Sequence, residues 1–219
     1  MKRFALAALI ASATLLVPVA QAAPEAPAKV SAVATRLALR DLWVEHVFWI
    51  RNAVLAAAAG NAAERTAAEA QVVANARSIA DSIAPFYGKA ASDKLFGLLA
   101  GHWGAVKAYL DATDAGNAAG QTEATKQLTA NAGEIADFLS GANPNWPRAT
   151  LVSLLTAHGA HHVAQIQQLH AGQFDAEAKT WAAMRAHMYV IADALTDGIA
   201  KQFPDRFDGG VAMAAAHHH

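Results

Sequence analysis

The sequence predicts an all-α fold, with six antiparallel helices arranged as three tandem helical hairpins in one bundle. Three observations carry this expectation. The first is composition: 54% of the residues are hydrophobic but only 7% are aromatic, β-branched residues are few, and alanine is the commonest residue. Alanine loses no side-chain entropy in a helix, whereas strands favour branched and aromatic side chains. The second is periodicity, since Leu95, Leu98, Leu99 and Val106, and again Leu151, Leu154, Leu155 and Val163, recur at helical spacing. The third is an internal repeat of 56 residues that needs no insertion. It superposes His46, His102 and His158, then Gly60, Gly116 and Gly172, then Ile79, Ile135 and Ile191, then Asp81, Asp137 and Asp193. Asn75 and Asn131 align with His187, and Gly60-Asn61-Ala62-Ala63 matches Gly116-Asn117-Ala118-Ala119 residue for residue.

Residues 1–22 read as a signal peptide: Lys2 and Arg3, an apolar run from Phe4 to Val19, and the cleavage pattern Ala20-Gln21-Ala22. The run is short for a membrane span, and no later segment is apolar enough to be one. A periplasmic or secreted protein is therefore expected. Losing Lys2 and Arg3 takes the formal charge from −1 to −3, against nucleic-acid binding, which needs a basic face. The absence of cysteine removes disulfides, thiolate zinc sites and thiol nucleophiles. Residues 23–30, with Pro24 and Pro27, read as a flexible spacer.

The bundle domain is expected over 31–207, and 219 residues suit one domain. The first helix of each hairpin is predicted near 31–58, 91–114 and 148–170, the second near 62–84, 118–140 and 174–202. Gly60, Gly116 and Gly172 end the first helices, because a glycine in the left-handed conformation closes a helix without steric strain. Pro85 with Gly88, then Asn143-Pro144-Asn145-Trp146-Pro147, separate the hairpins, and Pro204 stops the last helix. Residues 208–219 form a tail whose Ala214-Ala215-Ala216-His217-His218-His219 reads as a cloning scar with part of a purification tag, so those histidines stay out of the site argument.

The repeat places six polar residues at one height. His46 lies 14 residues before its turn glycine and Asn75 lies 15 after it; on antiparallel helices both sit about 21 Å from the turn. His46, Asn75, His102, Asn131, His158 and His187 follow at separations of 29, 27, 29, 27 and 29 residues. Each has apolar neighbours three or four positions away, which sets it on or beside the apolar stripe. Two readings arise. In one, the layer is structural, its imidazoles and amides pairing to fix register in a non-catalytic binding or scaffold module. In the other it holds a divalent transition metal such as zinc or copper, which neutral imidazole binds well. His158 and His162 are one turn apart, a spacing that chelates a single ion. The candidate ligands are His46, His102, His158, His162 and His187, with Asn75 and Asn131 as structural members of the layer. A haem held axially by two of the histidines ranks below an ion.

Catalytic constellations are missing: there is no G-x-S-x-G, P-loop or H-E-x-x-H, and no pair of Glu-x-x-His for a di-iron bundle. His158 and His162 share the His-x-x-x-His of haemerythrin-like sites, but the bridging carboxylates are missing. An enzyme is therefore not expected. Among the remaining features, Glu45 is expected to pair with Arg40 or Arg51 on a solvated face, and Asp81, Asp137 and Asp193 to bond to the next connection. Trp43, Phe48 and Trp49 read as core or groove aromatics, with a ligand pocket as the alternative, and His170 faces solvent at a helix end.

Glu45-His46-Val47-Phe48-Trp49-Ile50-Arg51, Asn143-Pro144-Asn145-Trp146 and Gly198-Ile199-Ala200-Lys201-Gln202-Phe203-Pro204-Asp205-Arg206-Phe207 together carry a likeness. Over about 40–207 the chain resembles an uncharacterised family of secreted, all-helical bacterial proteins with no established activity. The resemblance implies a helical fold and an N-terminal export signal. That family carries an acidic residue before each repeat histidine; this chain keeps Glu45 and has Gly101 and Ala157 at the other two positions.

Overall fold

The computed structural model describes residues 29–208; the expected signal peptide, nearly all of the spacer and the terminal histidines lie outside them. The described residues are almost entirely helical: α1 Ala32–Ala58, α2 Ala62–Ser82, a single turn α3 Ala84–Tyr87, α4 Lys89–Asp114, α5 Ala118–Ala142, α6 Arg148–His170 and α7 Phe174–Gln202, with a 3-10 turn Pro204–Arg206. None of them is long and apolar enough to cross a membrane.

Three-residue connections join α1 to α2, α4 to α5 and α6 to α7, and all three are built alike. Gly60, Gly116 and Gly172 sit at φ of 69°, 64° and 68°. Each glycine N–H reaches back three residues, to Ala57, Thr113 and Leu169, and the next N–H reaches back five, to Ala56, Ala112 and Gln168. This double closure satisfies carbonyls the helix end leaves free, and it needs the left-handed residue that glycine supplies. Asn61 and Asn117 then cap the following helices, accepting from the backbone N–H of Glu64 and Gly120. Pro85 lies between the first two helix pairs, as expected, inside a short helical turn. It opens the one-turn α3, where a missing N–H costs nothing.

Packed neighbours run α1–α2–α4–α5–α6–α7 and back to α1, so the six long helices close a ring. The first helices of the three pairs, α1, α4 and α6, also touch one another across the middle. Three aspartates fasten successive pairs. Asp81 accepts from Ser92 on α4 at 2.8 Å, Asp137 from Arg148 on α6, and Asp193 from Arg40 on α1 at 2.8 and 2.5 Å. The third contact fastens the last helix to the first.

At the end of the bundle away from the three turns, the loop before α6 docks on α7. The Trp146 indole N–H donates to Ala194 O at 3.1 Å, and a Cβ added at Gly198 would lie 1.9 Å from that nitrogen. Tyr87, Asn143 and Gln202 form a hydrogen-bonded chain beside it, with Asn143 Nδ2 donating to the Tyr87 hydroxyl and that hydroxyl to Gln202 Oε1. The Phe86 ring stacks on Phe207 and lies tilted against Phe203, each at a centroid distance of 5.7 Å. Val30 pairs with the strand-like stretch at Phe207, which joins the two ends of the described chain.

Candidate metal centre

On α1 the buried positions Leu39, Trp43, His46, Val47, Ile50, Ala53 and Val54 follow the helical repeat, so the histidine occupies a core position of an apolar stripe. The same holds for His102 between Leu98, Leu99 and Val106 on α4, and for His158 and His162 between Leu155 and Ile166 on α6. Because α1, α4 and α6 are the helices that meet in the middle, these stripes converge. His46, His102, His158 and His162 are 1%, 6%, 2% and 1% exposed, and a ring nitrogen from each lies within 4.8 Å of the others. Their ring centroids are separated by 4.4 to 6.1 Å. The layer divides the interior into two apolar clusters, one toward the closing end and one toward the three turns.

Burial sets the protonation of the site. It lowers His46 to about 3, with the nearby His102 adding to the effect, and lowers His102 to about 4. His158 and His162 fall well below the usual histidine value, again by burial first and mutual repulsion second. At neutral pH all four rings are uncharged, the form in which imidazole donates a lone pair to a metal. The Nε2 atoms of His158 and His162 approach to 3.1 Å. His46 Nδ1, His102 Nε2 and His158 Nδ1 are buried and find no hydrogen-bond partner in the protein, whereas buried polar atoms almost always have one.

The other three members of the predicted layer sit on the outer helices and do something else. Asn75 Nδ2 donates to Leu42 O at 3.1 Å and Asn131 Nδ2 to Leu98 O at 3.0 Å. His187 Nε2 is 2.9 Å from Leu154 O. The contact recurs at the same spacing in each helix pair. His187, expected among the ligands, therefore lies outside the quartet: α7 is an outer helix, and its side chain reaches the backbone of α6 rather than the centre. Asn75 and Asn131 are both buried.

Glu45 departs from its expected pairing. It is exposed and accepts from Trp49 Nε1 and Asn75 Nδ2, while Arg40 engages Asp193 and Arg51 engages Glu177. At the equivalent Gly101 a Cβ would come 3.3 Å from Asn131 Nδ2, so the residue before the histidine faces the asparagine amide and not the imidazoles. Trp43 is buried in the core, and Phe48 packs exposed against Trp49 with centroids 5.1 Å apart. His170 is half exposed, 3.7 Å from Asp114.

Sequence reasoning missed one polar group altogether. Glu177 is 2% exposed and receives two bonds from Arg51, at 2.6 and 2.7 Å, and one from Gln165 at 3.0 Å. Arg51 lies 5.4 Å from the Trp181 ring centre. The three partners come from α1, α6 and α7 without any repeating spacing, so no local pattern announces them.

With the rings this close, four imidazole nitrogens are the donor set, and among the described residues no carboxylate joins the group. Four rings pointing at one tetrahedral ion with metal–nitrogen bonds of about 2.0–2.1 Å would have centroids about 5.2 Å apart, inside the observed range. The chain matches no family model, no curated protein and no solved structure.

Proposed function

We propose that the protein is an exported, non-catalytic bundle that binds one transition-metal ion, zinc or copper, through His46, His102, His158 and His162. The observation that carries this reading is the buried quartet itself, with three ring nitrogens that no protein group satisfies. Asn75, Asn131 and His187 each reach a backbone carbonyl on the neighbouring helix, with the oxygens of the two asparagines left unpartnered, but only the quartet brings four ring nitrogens within 4.8 Å of one another. The four-nitrogen donor set and the i, i+4 pair suit ions that prefer imidazole over ions that demand oxygen, such as calcium and magnesium. Rings fixed on three different helices pre-organise the site and tie ion binding to bundle stability. Export rests on the N-terminal pattern of Lys2, Arg3, the apolar run and Ala20-Gln21-Ala22.

Elemental analysis of the chain lacking His217, His218 and His219, after dialysis, tests the proposal. One zinc or copper per chain is expected, lost when His102→Ala and His158→Ala are combined. Metal-free protein whose melting does not move on adding either ion would overturn it, and a Soret band after haem addition would point to the macrocycle instead.

A further inference from the structure

Within or beside the quartet, the third helix pair carries histidine at three positions where the first two pairs carry other residues. His162 stands where the first pairs carry Ile50 and Val106, His161 where they carry Trp49 and Ala105, and His187 where they carry Asn75 and Asn131. His162 joins the buried quartet. The other two form a pair of their own. The rings of His161 and His187 lie 5.5 Å apart at 74°, and both residues are half-buried, unlike the quartet.

The pair is arranged to donate. If His187 Nε2 holds the proton shared with Leu154 O, its Nδ1 keeps a free lone pair. His161 Nδ1 is buried without a partner. A centroid separation of 5.5 Å is near the roughly 5.2 Å expected of two imidazoles sharing one ion. The pair also adjoins the quartet. His161 directly precedes His162 on α6 and is three residues from His158. His187 rests on the Leu154 carbonyl, which is one helical turn before His158.

We propose that His161 and His187 form a second, weaker two-imidazole site for the same divalent transition metal, through which the ion passes to the quartet. This rests on the quartet being a metal site. An ion in water must shed its hydration shell to reach four histidines that are at most 6% exposed. Exchanging waters for imidazoles in two stages, first at the half-exposed pair and then at the core, replaces one steep desolvation step by two smaller ones. Passage needs a staging site that holds the ion well enough to capture it and weakly enough to release it. Two nitrogens with water completing the shell meet that requirement, and four buried nitrogens do not.

The test combines His161→Ala and His187→Asn in the full chain lacking the terminal histidines. Both replacements are residues already used at the equivalent positions, and asparagine keeps the bond to the Leu154 carbonyl, as Asn131 does with Leu98. Cobalt(II) uptake is followed in a stopped-flow spectrometer by its ligand-field bands, and the equilibrium affinity is measured by chelator competition. The expected result is uptake and chelator-driven release both slowed by about tenfold, equivalent to about 1.4 kcal/mol in the barrier, with one ion bound at unchanged equilibrium affinity. Unchanged rates overturn the staging site. A comparable loss of equilibrium affinity also overturns it and makes His187 a ligand of the quartet. Failure of the parent chain to bind cobalt, zinc or copper at all overturns the quartet reading, and this one with it.

Discussion

Replacing His162 by valine separates what the histidine layer costs from what it gains. Valine is the residue of the second helix pair at this position, Val106, and Ile50 fills it in the first, both buried. In metal-free protein the change removes the contact with His158 Nε2 at 3.1 Å, a loss of about 1 kcal/mol, and leaves that nitrogen unpartnered. It also deletes the desolvation of a buried ring, about 1–3 kcal/mol, and gains apolar contact. The terms nearly cancel, and the variant should melt within about 3 °C of the parent in chelator. Metal reverses the comparison. A four-ligand zinc site with an apparent binding energy of about 10–16 kcal/mol assigns each ligand about 3 kcal/mol, or about a hundredfold in affinity. At zinc about a thousand times the parent's Kd, the parent gains about 4.1 kcal/mol and the variant about 1.4 kcal/mol. For a domain of this size the difference of about 2.7 kcal/mol is about 5–11 °C. Circular dichroism melts of the untagged chain, with EDTA and with zinc, read both numbers. Equal melting in zinc, or a deficit of that size already present in EDTA, would refute the reasoning.

Further outcomes follow from the same geometry. The four imidazoles stay neutral in the fold, lowered to about 3 at His46, about 4 at His102 and well below the usual value at His158 and His162. The unfolded chain takes up protons near pH 6.5, so this contribution is complete above that pH and is lost as pH falls toward the folded values. At pH 5.5 each group costs about 1.4 kcal/mol, about 6 kcal/mol for four. Metal-free protein should unfold between about pH 6 and 4, and His102→Leu with His158→Leu should move the midpoint lower; an unmoved midpoint in an acid titration contradicts this. Gly198→Ala drives a methyl into Trp146 and should lower stability by about 3 kcal/mol, seen as reduced urea midpoint with altered tryptophan emission. Glu177→Gln leaves Arg51 with a weakened partner across α1, α6 and α7. It should cost about 3 kcal/mol in denaturant while metal stoichiometry stays at the parent value, and a lost ion would tie the pair to the quartet instead.

Much of this molecule can be read along the chain. The turn glycines are legible because only a left-handed residue closes a helix in this way, and the apolar stripes because helical periodicity fixes a face. The height of the histidines is legible because rise per residue is constant, so equal distances from a turn mean equal depth. His46, His102 and His158 share a depth on those grounds, and His162 is legible only as the residue one turn from His158. Two residues show where spacing stops. His187 has the right height and an apolar flank, yet it caps a carbonyl, because height does not say which helices are central. Glu177 has neither repeat nor motif, and its partners lie 126 and 12 residues away in sequence.

The amino-acid sequence by itself determined the helices, their turns and the depth of each polar residue, because these depend on interactions within a few positions of the chain. Only the tertiary structure decided that α1, α4 and α6 face the middle, that α7 closes on α1, and that four imidazoles converge while a fifth turns aside. Those outcomes depend on which surfaces meet when six helices compete to bury their apolar faces in one ring.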